Sequence, residues 1–195
     1  AAYAARLRAL RDDWRHQFGT RTPLLLVQLA SYGQPPVAPA DSGWAQVREA
    51  QRRVAAEDAR SGLAIAIDIG DAYDIHPPNK QELGRRLARV ARHVVYREQG
   101  VAPSGPRAVA AVRTPTGVAI AFEDVEGALT ATGALRPIGF ELCEARGHTR
   151  HCEYADAGLD ARRILLRGPL STRATHVRYC WADGPVCTLR DRSGA

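Results

Sequence analysis

The sequence predicts an α/β fold in two parts, the closing strands of a parallel sheet followed by a small all-β sandwich. Three observations predict it. Before residue 103, three segments carry apolar residues at helical spacing, and two short apolar runs separate them. An order of helix, strand, helix, strand, helix calls for parallel strands joined by right-handed crossovers. At Ser104-Gly105-Pro106 the apolar period drops from about 3.6 residues to about 2. Residues 1–103 and 104–195 are therefore read as separate domains. Two strands cannot make a stable sheet alone, so the first domain reads as the tail of a larger one.

Residues 1–18 set Tyr3, Leu7, Leu10, Trp14 and Phe18 on one helical face, and Gly19 stops the helix. Pro23-Leu24-Leu25-Leu26-Val27-Gln28-Leu29-Ala30 is an apolar run of strand length, as expected of a strand covered on both faces. Residues 31–42 are rich in Pro, Gly and Ser and read as a surface loop. Trp44, Val47, Gln51 and Val54 form a second helical stripe, capped by Asp41 or Ser42. A buried strand is expected over 63–69, starting at Leu63-Ala64-Ile65-Ala66-Ile67. Asn79 and Glu82 resemble a capping box opening a third helix. Its buried face is Leu83, Leu87, Val90 and Val94, and Gly100 and Pro103 end it. In the second domain, strands are expected at 107–113, 117–122, 138–142, 163–167 and 175–181.

A chain of 195 residues can bury a real core, and 45% hydrophobic with 25% charged residues is a globular composition. The formal net charge of +6 comes from arginines spread along the chain, which reads as a solvated surface and not a nucleic-acid site. No run approaches the roughly 20 apolar residues of a membrane helix, and no signal peptide is visible. Neither nucleic acid nor membrane is expected as a partner. All four cysteines lie between residues 143 and 187. Cys143 and Cys152 bracket a polar, Gly-containing stretch, and Cys180 and Cys187 bracket a hairpin-like turn. Two local disulfides and a periplasmic or secreted location are expected. Zinc would need cysteines at shorter spacings; no metal and no cofactor are expected.

The first domain is organised around the stretch 69–80. A strand that ends in a loop carrying carboxylates and a histidine, before a helix, is where α/β enzymes place acid–base residues. His76 precedes Pro77 and Pro78, which push its backbone into an extended form and stiffen the loop. Lys80 is the one lysine of the chain, where a compact ammonium is wanted. His16 and His93 lie on helices, and His148, His151 and His176 fall in the β-rich part. His76 is therefore the candidate base. Asp74, two residues earlier in extended chain, or Asp71, five earlier if the loop turns back, is the carboxylate that orients it. Either could instead cap a turn.

Asp74-Ile75-His76-Pro77-Pro78-Asn79-Lys80, with Ile67-Asp68-Ile69-Gly70-Asp71 before it, resembles the histidine block of the sialate O-acetylesterase family, carbohydrate esterases of the SGNH-hydrolase class. The likeness extends upstream through Asp13-Trp14-Arg15, Leu26-Val27-Gln28-Leu29-Ala30, and Trp44 with Arg48-Glu49-Ala50-Gln51. Downstream it reaches Val177-Arg178-Tyr179-Cys180-Trp181-Ala182-Asp183-Gly184-Pro185-Val186-Cys187. The resemblance implies the tail of an SGNH (flavodoxin-like) sheet and a Ser-His-Asp mechanism on O-acetyl esters of a sialic acid or another sugar. It covers only the C-terminal half of such an enzyme, so His76 and Asp74 are expected here and the nucleophile in a missing N-terminal half.

Within the chain, Ser31 follows a strand but lacks the flanking glycines of a nucleophile elbow. Ser42, Ser61, Ser104, Ser171 and Ser193 sit in ordinary loops. Gln28 lines a cleft or is a buried hydrogen-bonding residue, Arg48 is a surface or ion-pair residue, and Trp181 belongs to the sandwich core or stacks on sugar. A different class of function, a non-catalytic carbohydrate-binding or scaffolding piece, would be marked by an exposed aromatic strip on the β-rich part.

Overall fold

The computed structural model describes residues 2–147 and 149–194; Ala1, His148 and Ala195 lie outside them. The fold is mixed α/β, with three helices and mostly antiparallel sheets among the described residues. The chain divides into two compact units, Ala1–Gly33 with Gly43–Ser104, and Gln34–Ser42 with Gly105–Ala195.

The first unit runs α1 (Ala2–Phe18), β1 (Leu24–Val27), α2 (Gly43–Ala55), β2 (Ser61–Ala64) and α3 (Lys80–Val94). β1 and β2 pair in parallel, with Leu24 opposite Ser61 and Val27 opposite Ala64. Ala64, Val90 and Val94 form a buried cluster with Leu25 and Leu87 against it. Gly62 makes that packing close: a Cβ there would run into Val90 and Val94. Arg15 ties α1 to the turn before β2 through both Asp58 oxygens, at 3.0 and 3.1 Å.

Three features differ from expectation. β2 spans 61–64, not 63–69, because its partner strand diverges after Gln28 N donates to Ala64 O at 2.9 Å. Residues beyond Ala64 have no ladder and turn, with Ile69 N donating to Ala66 O. The apolar stripe of α1 is not buried: Leu7 is, while Tyr3, Leu10, Trp14 and Phe18 are exposed, as is Val27 of β1. Finally, α3 ends at Val94, before Gly100; Tyr96 N folds back to Ala91 O and Arg97 takes a left-handed φ of 56°.

The second unit contains β3 (Arg107–Thr114), β4 (Gly117–Glu123), β5 (Thr130–Ala131), β6 (Phe140–Arg146), β7 (Thr149–Tyr154), β8 (Asp156–Asp160), β9 (Arg163–Arg167), β10 (His176–Tyr179) and β11 (Leu189–Arg190). The sheets are ordered β3-β4-β9-β8, β10-β6-β7 and β11-β5, all antiparallel. Val118, Ile120, Ile164 and Leu166 from the first sheet share one core with Phe140 and Leu142 from the second. Period 2 puts the odd-numbered residues of β6 on the opposite face of its sheet. Disulfides join Cys143 to Cys152, directly across the β6–β7 ladder, and Cys180 to Cys187, the pairing the local spacing predicts. β3 is the exposed edge strand, and Arg107 and Arg113 lie on it.

Residues 34–42, read from sequence as a plain surface loop, belong by their contacts to this second unit. Tyr154 Oη donates to Pro36 O at 3.3 Å, Arg178 Nη2 reaches Asp41 Oδ1 at 3.4 Å, and Ser42 Oγ bonds Asp183 Oδ1 at 2.5 Å.

Candidate active site

The stretch 65–79 between β2 and α3 is held at both ends. Arg86, on α3, donates from Nη1 to Ile65 O (3.1 Å) and Asp68 Oδ1 (2.6 Å), and from Nη2 to Asp68 Oδ2 (2.8 Å). Both side chains are largely buried, so this is a two-point, charge-assisted clamp on the start of the loop. At the far end Asn79 Oδ1 accepts Glu82 N at 3.2 Å and caps α3. Glu82 does not complete a capping box; its carboxylate turns to Arg86 (3.0 Å) and Arg85 (3.5 Å). The spacing of Glu82 and Arg86 signals their own i,i+4 pair, but nothing local in the sequence signals the Arg86–Asp68 pair, whose partners are 18 residues apart.

The middle of the loop is braced by the segment after β1. Tyr32 bridges Asp71, and Gly33 N donates to Ala72 O at 3.2 Å. Gly70 is required there, since a Cβ would strike the Ser31 backbone. The bracing segment is itself pinned: Gln51 Oε1 accepts Leu29 N (2.9 Å), Trp44 Nε1 donates to Ala30 O (2.7 Å), and Gln28 Oε1 accepts Ala66 N (3.3 Å). Gln28 thus joins the two strand ends, and Arg48 is buried within α2.

Asp71 and Asp74 take different positions. Asp71 Oδ1 accepts the N–H groups of Tyr73 (2.7 Å) and Asp74 (3.0 Å), a turn-capping arrangement. Asp74 Oδ1 accepts His76 N at 2.8 Å and stands 3.2 Å from His76 Nδ1. The His76 N–H, ahead of the ring contact, holds the Asp74 carboxyl below its usual range. With Nδ1 facing a carboxylate, Nε2 is the ring nitrogen left to meet a reacting group. The pair is open to solvent, 86% of the His76 and 63% of the Asp74 side chain being accessible. It stands out in the loop, away from the end of β2, because β2 stops at Ala64.

Three other histidines have partners of their own. His93 Nδ1 is 2.8 Å from Val101 O, His176 Nδ1 is 2.9 Å from Thr175 Oγ1, and His151 Nε2 is 3.1 Å from Glu153 Oε1 on β7. The hydroxyls of Ser61, Ser171 and Ser193 donate to Asp58, Gly168 O and Asp191. Glu141, Cys143 and Cys152 bring ligand-type atoms within 4.8 Å of one another, but both sulfurs are joined in the disulfide.

Over 99% of its length the chain superposes on a carbohydrate acetylesterase from Xanthomonas citri, at 31% identity and a TM-score of 0.83. The chain is similar to a solved carbohydrate acetylesterase. It spans 44% of that protein's chain. No protein-family model matches the chain, and no curated protein does. No helix among the described residues is long and apolar enough to cross a membrane.

Proposed function

We propose that this chain supplies the histidine and carboxylate of a serine carbohydrate O-acetylesterase, with an acetylated sugar, a sialic acid or another, as substrate. The likeness to the Xanthomonas citri acetylesterase carries the reading, and the Asp74–His76 contact gives it a chemical centre. In this scheme a serine hydroxyl attacks the acetyl carbonyl while His76 Nε2 takes its proton; the same proton then goes to the departing sugar oxygen. Water hydrolyses the acetyl-enzyme by the same relay, releasing acetate. Asp74 holds the ring with Nδ1–H toward itself and stabilises the imidazolium.

The serine and its oxyanion donors belong, on this reading, to an N-terminal half of an SGNH domain that completes the sheet beside β1. The exposed stripe of α1 and the exposed Val27 support that placement. Residues 1–103 are then the end of that domain and 104–195 a β-sandwich appendage. Two disulfides favour a periplasmic or secreted location. The non-catalytic carbohydrate-binding reading needs an exposed aromatic strip on the second unit, and Tyr154 is the one exposed aromatic there among the described residues.

The test is hydrolysis of a small acetyl ester and of O-acetylated sugars. The 195-residue chain alone is expected to be inactive. Activity should appear with the upstream half present and fall by about three to four orders of magnitude in His76→Ala. Turnover by the chain alone that is lost in Ser31→Ala would place the nucleophile inside it and overturn the split.

A further inference from the structure

Glu141 is a charged residue in a place that does not suit a charge. It lies on the non-core face of β6, yet it is 2% exposed, and its Oε2 has no hydrogen-bond partner. The segment 34–42 is bonded to both strands that flank β6. That segment is anchored over β7 by the Tyr154–Pro36 bond and over β10 by the Arg178–Asp41 contact. In the sheet order β10-β6-β7, Glu141 stands directly between Arg178 and Tyr154 in the ladder. A chain crossing from Tyr154 to Arg178 therefore passes over Glu141. Pro35, Pro36 and Pro39 stiffen that crossing strap.

We infer that segment 34–42 is a proton-controlled strap, latched over the sheet while Glu141 is neutral and released as it ionises. The groups facing Glu141 are few. Arg178 on β10 is 3.8 Å away, beyond hydrogen-bond reach, and its guanidinium also lies 4.7 Å over the Trp181 ring and faces Asp41 of the strap. Tyr154 faces it from β7, and next along the face lie the Cys143–Cys152 disulfide and His176 opposite Cys143. Arg178 is thus shared between strap and sheet and does not fully compensate a buried carboxylate. Burial, against the opposing pull of Arg178, moves the Glu141 carboxyl up to about 7 from 4.5. Once the strap lifts, water reaches the carboxylate and the ordinary value returns.

The direction follows. Between about pH 4.5 and about pH 7 the lifted state loses its proton and the latched state keeps it, so lifting grows about tenfold per pH unit and levels off above. Hydrogen exchange of the 34–42 amides in the intact chain, corrected for intrinsic rates, reads this directly. Protection should fall by up to about two orders of magnitude across that window and then stay constant. In Glu141→Gln the strap should stay latched with no pH step. Side-chain carboxyl NMR of the wild-type chain needs no variant and should show Glu141 titrating near 7. A flat wild-type profile, a pH step surviving in Glu141→Gln, or a carboxyl titrating near 4.5 overturns the inference.

Discussion

Asp71 and Asp74 stand three residues apart in one exposed loop, and their oxygens are engaged in different tasks. Asp71 closes the turn by accepting two backbone N–H groups, whereas Asp74 alone reaches the His76 ring. Their substitutions should therefore part company on the proposed esterase. Asp74→Asn keeps the shape but offers an amide where the ring nitrogen needs an acceptor, and kcat on an acetyl ester should fall about 10³–10⁴-fold with melting unchanged. Asp71→Ala should loosen the loop, raising KM and hydrogen exchange of residues 72–76, with a smaller effect on kcat. Equal kcat losses in both would show that Asp74 has no special role. The choice between the two aspartates was open in the sequence, because spacing alone does not say which carboxylate the loop turns toward the ring.

At the scale of elements, α3 carries the loop and depends on two local devices. The Asn79 cap should contribute about 1 kcal/mol, lost in Asn79→Ala and readable in denaturant unfolding. Gly62 lets Val90 and Val94 close on β2, so Gly62→Ala should cost about 1–3 kcal/mol by overpacking. A neutral Gly62→Ala would mean that α3 can slide away from the sheet. Elements with a strong period were legible: all three helices, and the five strands with alternating apolar residues, lie near where periodicity puts them. β7 and β8 were not, since Thr149–Tyr154 and Asp156–Asp160 carry few apolar residues and their strand character comes from pairing with β6 and β9. The end of β2 was overrun for the same reason in reverse: Ile65 to Ile67 are apolar, but no neighbouring strand accompanies them.

At the scale of the molecule, the sequence changes period at Ser104, and the contacts divide the chain between Ser104 and Gly105. The attachment of residues 34–42 to the second unit was not legible in the sequence, because it rests on contacts with Tyr154, Arg178 and Asp183 more than a hundred residues away in sequence. This division has a consequence for acid stability, because the most strongly displaced carboxyls of the two units, Asp58 and Glu141, move in opposite senses. In the first, burial alone would raise Asp58, but hydrogen bonds from Arg15, Arg60 N and Ser61 outweigh it and bring the carboxyl down to about 2 from 3.8. Its contribution is complete above about pH 4 and is lost as pH falls through 2; with partial exposure it is on the order of 1 kcal/mol. In the second, Glu141 is raised to about 7, so its burial costs most above pH 7 and least near pH 4.5. From pH 8 to pH 5 the second unit should therefore gain on the order of 1–3 kcal/mol while the first stays level. Below about pH 4 the first unit should weaken. Hydrogen exchange of core peptides separates them, with residues 61–64 and 83–94 reporting one unit and 118–122 and 163–167 the other. Glu141→Gln should flatten the second profile and leave the first untouched. Parallel profiles in the two sets of peptides would show that the carboxyls do not govern the units separately.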